Sequence, residues 1–173
     1  MKMKNVILSV LFLLLVFSAR SQGLVYNTYE DYTRNKGIAV DASSFAFVPE
    51  LSSMSLKHAG QFKDIDPWGF RWQGKLFRFS RLKGPHTLEV IDSGQFILYS
   101  FPAMSQSGRP YDILYLSKDL NSEVHRANIH DPERIAKIDP QYQVLADYID
   151  AADRKKDFTT IVKEFNKQAA KHK

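Results

Sequence analysis

Five histidines, nineteen carboxylates and no cysteine are the groups with which this chain of 173 residues could do acid–base, nucleophilic or metal chemistry. Their densest gathering is His125, His130, Asp131 and Glu133. A metal site needs ligands that converge on one point. A separation of five turns the two histidines to different faces of a helix, and Pro132 interrupts the segment, so the pattern reads as a polar surface connection. His58 and His86 have no acid or nucleophile beside them. A hydrolase serine would usually occupy a Gly-x-Ser-x-Gly elbow, and the chain has none; Ser105 and Ser107 share a flexible loop with Gly108 but have no base to activate them. Without cysteine, thiol chemistry is impossible. Asp64/Asp66 and Asp147/Asp150 read as solvated surface acids, because glycosidase carboxylates are defined by distance in space. There is no phosphate-binding glycine loop and no dinucleotide fingerprint; Gly69, Gly74, Gly84 and Gly94 recur as hairpin turns do. The residues therefore point to no catalytic group, no metal ligand and no cofactor.

The most distinctive local group is aromatic. Trp68, Phe70, Arg71 and Trp72 fall within five residues. Trp and Arg dominate the energetics of binding interfaces, so these four are the candidate binding residues. The same rings would serve equally as core, with Phe70 inward and Trp68 and Trp72 on the other face beneath a helix.

These groups are carried by elements that the pattern of residues predicts. Thr28 caps a short helix over about 28–35 with Asp31 in its first turn, ended near Lys36-Gly37. Residues 45–48 suit a strand stopped by Pro49. Residues 70–72, Gln73-Gly74 and 75–79 have the form of a hairpin. A second hairpin runs 87–91, turns at Asp92-Ser93-Gly94 with Gly94 free to take positive φ, and returns over 95–99. Residues 102–110 are too rich in Ser, Gly and Pro for regular structure, and 111–116 is a further strand. Segments 96–101 and 111–116 are apolar on both faces, so each face must be covered. The last third is helical. Asp131-Pro132 and Asp139-Pro140 each pair a capping residue with proline at the first helical position. Leu145, Tyr148, Ile149 and Ala152 share one face of the helix that follows. Asp157 caps a final helix with Phe158, Ile161, Val162 and Phe165 on one side and Lys163, Lys167 and Lys171 on the other. Strands followed by helices indicate α+β, a curved antiparallel sheet with a barrel as its closed limit, a short N-terminal helix and C-terminal helices over one face or across an open end.

The first 21 residues have the form of a secretory signal: Lys2 and Lys4, an apolar run from Val6 to Phe17, then Ala19-Arg20-Ser21. Cleavage after Ser21 would leave residues 22–173 as a single domain. The apolar run is too short for a stable membrane anchor, no second long one follows, and the signal lacks the cysteine of a lipoprotein site. Lys2, Lys4 and Arg20 leave with the signal, so the remaining 21 basic residues face 19 acidic ones. That balance is a poor match to nucleic acid. The charge is nonetheless blocked: basic over 57–83, acidic over 84–153, basic again over 154–173. The blocks either neutralise one another on the folded surface or leave a basic tail for anionic lipid or an acidic partner.

Residues 26–36 (YNTYEDYTRNK) just after a signal, Trp68-Gly69-Phe70-Arg71 with its hairpin, the Asp92-Ser93-Gly94 turn and residues 115–122 (YLSKDLNS) resemble a group of small exported proteins of Bacteroidetes bacteria. The Ser21-Gln22 junction suits signals of those bacteria. The resemblance implies export to the periplasm or cell surface of a Gram-negative cell; it implies no activity and carries over no catalytic residue.

Three functions compete. The first is a non-catalytic binding or interaction module with an unknown ligand or envelope protein as partner; it fails if Trp68 and Trp72 are both fully buried and no groove remains. The second is a hydrolase whose histidines and carboxylates are assembled by the fold. The third is a membrane-surface protein resting on its Lys-rich final helix, whose apolar stripe would then have to be exposed; the spacing predicts that stripe to be buried. The first is the reading preferred.

Overall fold

The computed structural model describes residues 23–41, 45–48, 53–56, 67–80, 86–127, 131–153 and 155–171. Residues 1–22, Pro49, His58, Asp64, Asp66 and His130 lie outside them. The strands are β1 (Gly23–Tyr26), β2 (Ile38–Val40), β3 (Phe45–Val48), β4 (Ser53–Leu56), β5 (Gly69–Trp72), β6 (Lys75–Ser80), β7 (His86–Ser93), β8 (Ile97–Met104), β9 (Pro110–Ser117) and β10 (His125–Arg126). The helices are α1 (Tyr29–Thr33), α2 (Pro132–Ala136), α3 (Gln143–Ala151), entered through a 3₁₀ turn at Pro140–Tyr142, and α4 (Phe158–Lys171). Eight strands form one sheet in the order β10-β9-β8-β7-β6-β5-β1-β2, and β3 and β4 pair separately. The fold is α+β with an antiparallel sheet, and the sheet does not close into a barrel. No helix among the described residues is long and apolar enough to cross a membrane. Contacts divide the chain into two compact units, Met1–Val48 with Met54–Phe77, and Pro49–Ser53 with Arg78–Lys173.

In the first unit β1 pairs with both β2 and β5, with Val25 opposite Phe70 and Tyr26 opposite Gly69. α1 begins where expected: Thr28 Oγ1 accepts from Asp31 N at 3.1 Å, and Asp31 Oδ2 accepts from Thr28 N at 3.1 Å. This reciprocal box satisfies two otherwise unpaired donors. Asn35 takes the left-handed turn after the helix (φ 53°). Gly37 acts through space: a Cβ there would meet Leu24 Cβ at 2.8 Å and Tyr26 Cε1 at 2.9 Å. Gln73 (φ 49°) and Gly74 (φ 80°) make the two-residue turn between β5 and β6, the pair of positive φ values that matches strand twist.

The second unit is built on β7, β8 and β9. Leu98 lies opposite Leu116, and Tyr99 opposite Tyr115, so alternation gives this hairpin two apolar faces. One packs Phe96, Leu98 and Leu116 against Ile135, Tyr142, Leu145, Ile149, Phe158, Ile161, Val162 and Phe165. The other gathers Leu88, Ile97, Tyr99, Tyr115 and Val124. The hairpin is also longer than the composition of 102–110 predicts. The ladder continues to Met104 opposite Pro110. Only Ser105–Arg109 remain as a turn, with Gly108 at φ 74° and Arg109 N donating to Ser105 Oγ at 2.9 Å. Both Asp-Pro caps form, through Asp131 to Arg134 N and Asp139 to Gln141 N, and Asp157 caps α4 through Thr160 N.

A bulge in β7 ties sheet to helix. Val90 pairs with Tyr99 and Asp92 with Leu98, leaving Ile91 as the extra residue. Cross-strand partners share a face, so the bulge swings Asp92 to the side that Leu98 shares with the helices. There Asn166 Nδ2 donates to Asp92 Oδ2 at 2.7 Å and to Phe96 O at 2.8 Å, while its Oδ1 accepts from Phe96 N at 3.0 Å. Gly94 does not take the positive φ that the turn sequence predicts. It is required for closeness, since a Cβ there would stand 2.5 Å from Asn166 Cβ and Cγ.

Asn166→Ala leaves Phe96 N and O without their side-chain partner in a buried setting, and is expected to cost about 2–4 kcal/mol. Gly94→Ala is expected to destabilise the wild type but to cost much less in an Asn166→Gly background, because that change removes both the Cβ and the Cγ that a Cβ at position 94 would meet at 2.5 Å. Denaturant unfolding of the four proteins of the cycle measures this coupling, and additive costs would contradict it. Burial pushes the Tyr142 phenol up to about 12, with Tyr99, Asp139 and Asp119 adding to it. The unfolded phenol ionises near 10, so the unfolded state binds fewer protons between those values and stability falls as pH rises from 10 to 12. Alkaline titration followed by phenolate absorbance should show Tyr142 and Tyr99 ionising late, together with unfolding, and Tyr142→Phe should remove one of the late phenols.

Candidate functional site

Alternation along β1 and β5 sorts the first unit into two faces. Val25, Phe70 and Phe77 occupy one; Phe70 is fully buried and stacks on Phe77 with ring centroids 4.8 Å apart. Leu24, Tyr26 and Arg71 belong to the other by the register Leu24↔Arg71 and Tyr26↔Gly69. α1 meets this second face, and its capping box decides how. With Thr28 as N-cap, Tyr29 and Tyr32 stand three apart on one side of the helical turn. Trp68 precedes β5, its N–H bonded to Tyr26 O at 2.9 Å, and its ring joins theirs. Tyr32 stacks on Trp68 at 5.0 Å, Tyr29 lies 5.5 Å from Trp68 and 6.2 Å from Tyr32, and Tyr26 meets Tyr32 edge-on at 5.3 Å. Arg71 places its guanidinium 5.6 Å from the centre of the Tyr32 ring. Tyr26 is fully buried, Tyr29, Tyr32 and Trp68 are half-buried, and Arg71 is exposed.

Among the residues of this group the polar accounting does not close. Tyr26 Oη, Asn27 Oδ1 and Trp68 Nε1 are sealed from solvent and meet no hydrogen-bond partner among the described residues. Buried polar atoms are nearly always paired, and each one left unpaired costs roughly 1–3 kcal/mol. Three such atoms, on Tyr26, Asn27 and Trp68, make this the least satisfied part of the described structure.

The other polar groups are occupied in holding the second unit together. Arg78 Nη1 donates to Tyr99 Oη at 3.1 Å, Tyr99 Oη and Ser117 Oγ share a 2.8 Å bond, and Ser117 Oγ donates to Asp119 O at 2.5 Å. Burial raises the Tyr99 phenol above its ordinary value, with Arg78 pulling the other way. Ser117 is fully buried and bonded to a phenol and a carbonyl, so no base acts on it. Ser105 and Ser107 bond each other across the hairpin turn at 3.0 Å. His125 lies edge-on to Tyr142 at 6.3 Å. A groove of about 660 Å³ between α2 and α3 is lined by Asp131, Glu133, Asp147 and Asp150 with Lys137. Three of these carboxylates already have partners: Asp131 caps α2, Glu133 pairs with Lys137 at 3.6 Å, and Asp147 accepts from Gln143 at 2.7 Å. No group of three potential metal ligands converges among the described residues.

Of the four residues singled out by type, the fold thus brings Trp68 and Arg71 to one surface and places Phe70 in the core. Alternation puts Trp72, which is half-buried, on the Phe70 side of β5 rather than beside Trp68. Tyr26, Asn27, Tyr29 and Tyr32 complete the surface and were not singled out. The capping box with tyrosines three apart is the signal that could have found the last two. The apolar stripe of α4 is buried at Phe158, Ile161, Val162 and Phe165, and Lys163, Lys167 and Lys171 are exposed. This helix has no apolar face left to insert into a membrane. No protein family, curated protein or solved structure matches the chain.

Two Tyr→Phe changes should have opposite effects. Tyr26→Phe removes an unpaired hydroxyl and keeps the ring, so stability should stay level or rise by about 1 kcal/mol. Tyr99→Phe strips a partner from both Arg78 and Ser117 and should cost about 1–3 kcal/mol. Denaturant melts of the two variants decide it; a clear loss in Tyr26→Phe would mean that its hydroxyl is bonded.

Proposed function

We propose that the chain is an exported, non-catalytic binding module of the periplasm or cell surface, and that its site is the α1 face of the first unit: Tyr29, Tyr32, Trp68 and Arg71 over Tyr26 and Asn27. The observation that carries this is the set of three buried, unpartnered polar atoms, Tyr26 Oη, Asn27 Oδ1 and Trp68 Nε1, in a group whose rings Tyr29, Tyr32 and Trp68 are half-exposed. Such a face works against the stability of the fold, and sites that bind are where proteins tolerate that cost. Its composition supports the same reading, because Trp, Tyr and Arg bring large rigid contact area and a planar charge at low entropic cost. Neither Trp68 nor Trp72 is fully buried, so the condition that would have removed a binding role is not met. Export rests on the N-terminal signal pattern and on the resemblance of residues 26–36, 68–71, 92–94 and 115–122.

A fragment screen by nuclear magnetic resonance tests the site without a known ligand. The labelled mature chain is exposed to a panel of aromatic acids, monosaccharides and short peptides. Hits should move the Trp68 indole N–H and the amides of residues 29–33 and 71, and Tyr32→Ala should abolish these shifts while the amides of β7–β9 stay in place. Hits that cluster on the α2–α3 groove instead, or an indole that no fragment moves, would overturn the assignment.

A further inference from the structure

We infer that the helical layer of the second unit is a self-association surface: the lysine stripe of α4 from one copy seats in the acidic α2–α3 groove of another. The starting point is the blocked charge of the chain, acidic over 84–153 and basic over 154–173. Among the described residues no ion pair joins the two blocks. Lys163, Lys167 and Lys171 are exposed, and no described carboxylate pairs with any of them. The ion pair that α4 does make, Lys156 to Glu164 at 2.7 Å, stays inside the basic block.

Helical geometry keeps the blocks apart. The three lysines of α4 centre on the side opposite Phe158, Ile161, Val162 and Phe165, which are held in the core. On α3, Tyr148 is turned to α4: its ring meets Phe165 edge-on at 5.3 Å, and its hydroxyl accepts from Gln168 Nε2 at 3.0 Å. Asp147 and Asp150 fall about 100° and 160° around the helix from Tyr148. They line the groove with Asp131 and Glu133, away from α4. Neighbours three and four apart on a helix face one another, and like charges there repel. Both stripes have that spacing, so each works against its own helix until an opposite charge meets it.

The groove suits lysine side chains. It has about 660 Å³, and Pro132, Ala136 and Ala146 supply apolar lining beside the acids. A lysine lays its methylene stem on apolar surface and keeps its ammonium at the polar edge. Lys137, the cation of the lining, is answered by Glu133 at 3.6 Å, and Asp147 meets only the neutral amide of Gln143. The acids of α3 are therefore in excess. An anionic membrane would answer the lysines but leave the groove unmatched. A second copy answers both faces at once, and charge complementarity of this kind orients and selects a partner. The two faces differ, so the contact is heterologous and repeats from copy to copy.

Sedimentation velocity of residues 22–173 tests this. At about 0.01 M salt, where the Debye length is about 30 Å, the weight-average sedimentation coefficient should rise with protein concentration; at about 1 M, where it is about 3 Å, the coefficient should stay at the monomer value. Lys163→Glu/Lys167→Glu and Asp147→Lys/Asp150→Lys replace exposed side chains. Each variant alone should associate at least about tenfold more weakly than the wild type at low salt. Their equimolar mixture should recover the rise, because every reversed face then meets its opposite. A wild type that stays monomeric at low salt overturns the inference. So does association that survives about 1 M salt, persists undiminished in either variant, or fails to return in the mixture. Monomeric wild type that floats with phosphatidylglycerol vesicles, where Lys163→Glu/Lys167→Glu does not, overturns it in favour of an anionic membrane.

Discussion

The amide of Asn166 bonds both main-chain groups of Phe96 and the carboxylate of Asp92, seventy or more residues away in sequence. The second unit is organised around that contact. A helix such as α4 can slide along an apolar sheet face at little cost, because dispersion and hydrophobic contact are not directional. A buried amide with three fixed partners removes that freedom, since any slip leaves groups unpaired in a low-dielectric interior. The register of Phe158, Ile161, Val162 and Phe165 over Phe96, Leu98 and Leu116 follows from it. So does the need for glycine at position 94, and so does the bulge at Ile91 that brings Asp92 to the helix side.

The first unit is held by different means. Its inner face, Val25, Phe70 and Phe77, is fully packed. Its other face is covered by a single helical turn whose residues are all at least partly exposed and whose attachment is aromatic. Ring contacts contribute about 0.5–1.5 kcal/mol each beyond their area. Three unpaired polar atoms oppose them with costs of similar size. This near-balance leaves α1 held to the first unit by little net free energy. In the second unit the comparable polar groups are used: Tyr99, Ser117 and Arg78 satisfy one another, and three of the four acids of the α2–α3 groove cap or pair.

Much of the architecture was legible in the chain. The Gln73-Gly74 turn, the Thr28 box, both Asp-Pro caps and the faces of α3 and α4 are all encoded within a few residues of where they act. β1, β2, β4 and β10 were not read, because each has two to four residues and too little alternation to register. The Ser, Gly and Pro content of 102–110 predicts a loop, whereas strand pairing to Met104 and Pro110 overrides that composition. For the candidate site, the cluster of Trp68, Phe70, Arg71 and Trp72 gives the stretch, while the rings that meet Trp68 and Arg71, Tyr29 and Tyr32, come from a helical turn remote in sequence.

The sequence by itself determined the local conformations, the α+β order and the apolar faces, since these depend on neighbours along the chain. It also determined which residues are rare and large enough to matter in binding. Tertiary structure alone decided which of them meet. The pairing of β1 with β5 sends Phe70 to the core and Arg71 to Tyr32, and it sets Trp68 beside two tyrosines of a distant helical turn. An alternation of period two is indifferent to which face becomes core. That choice is made by the partners each face finds, and those partners are brought together only when strands remote in sequence pair.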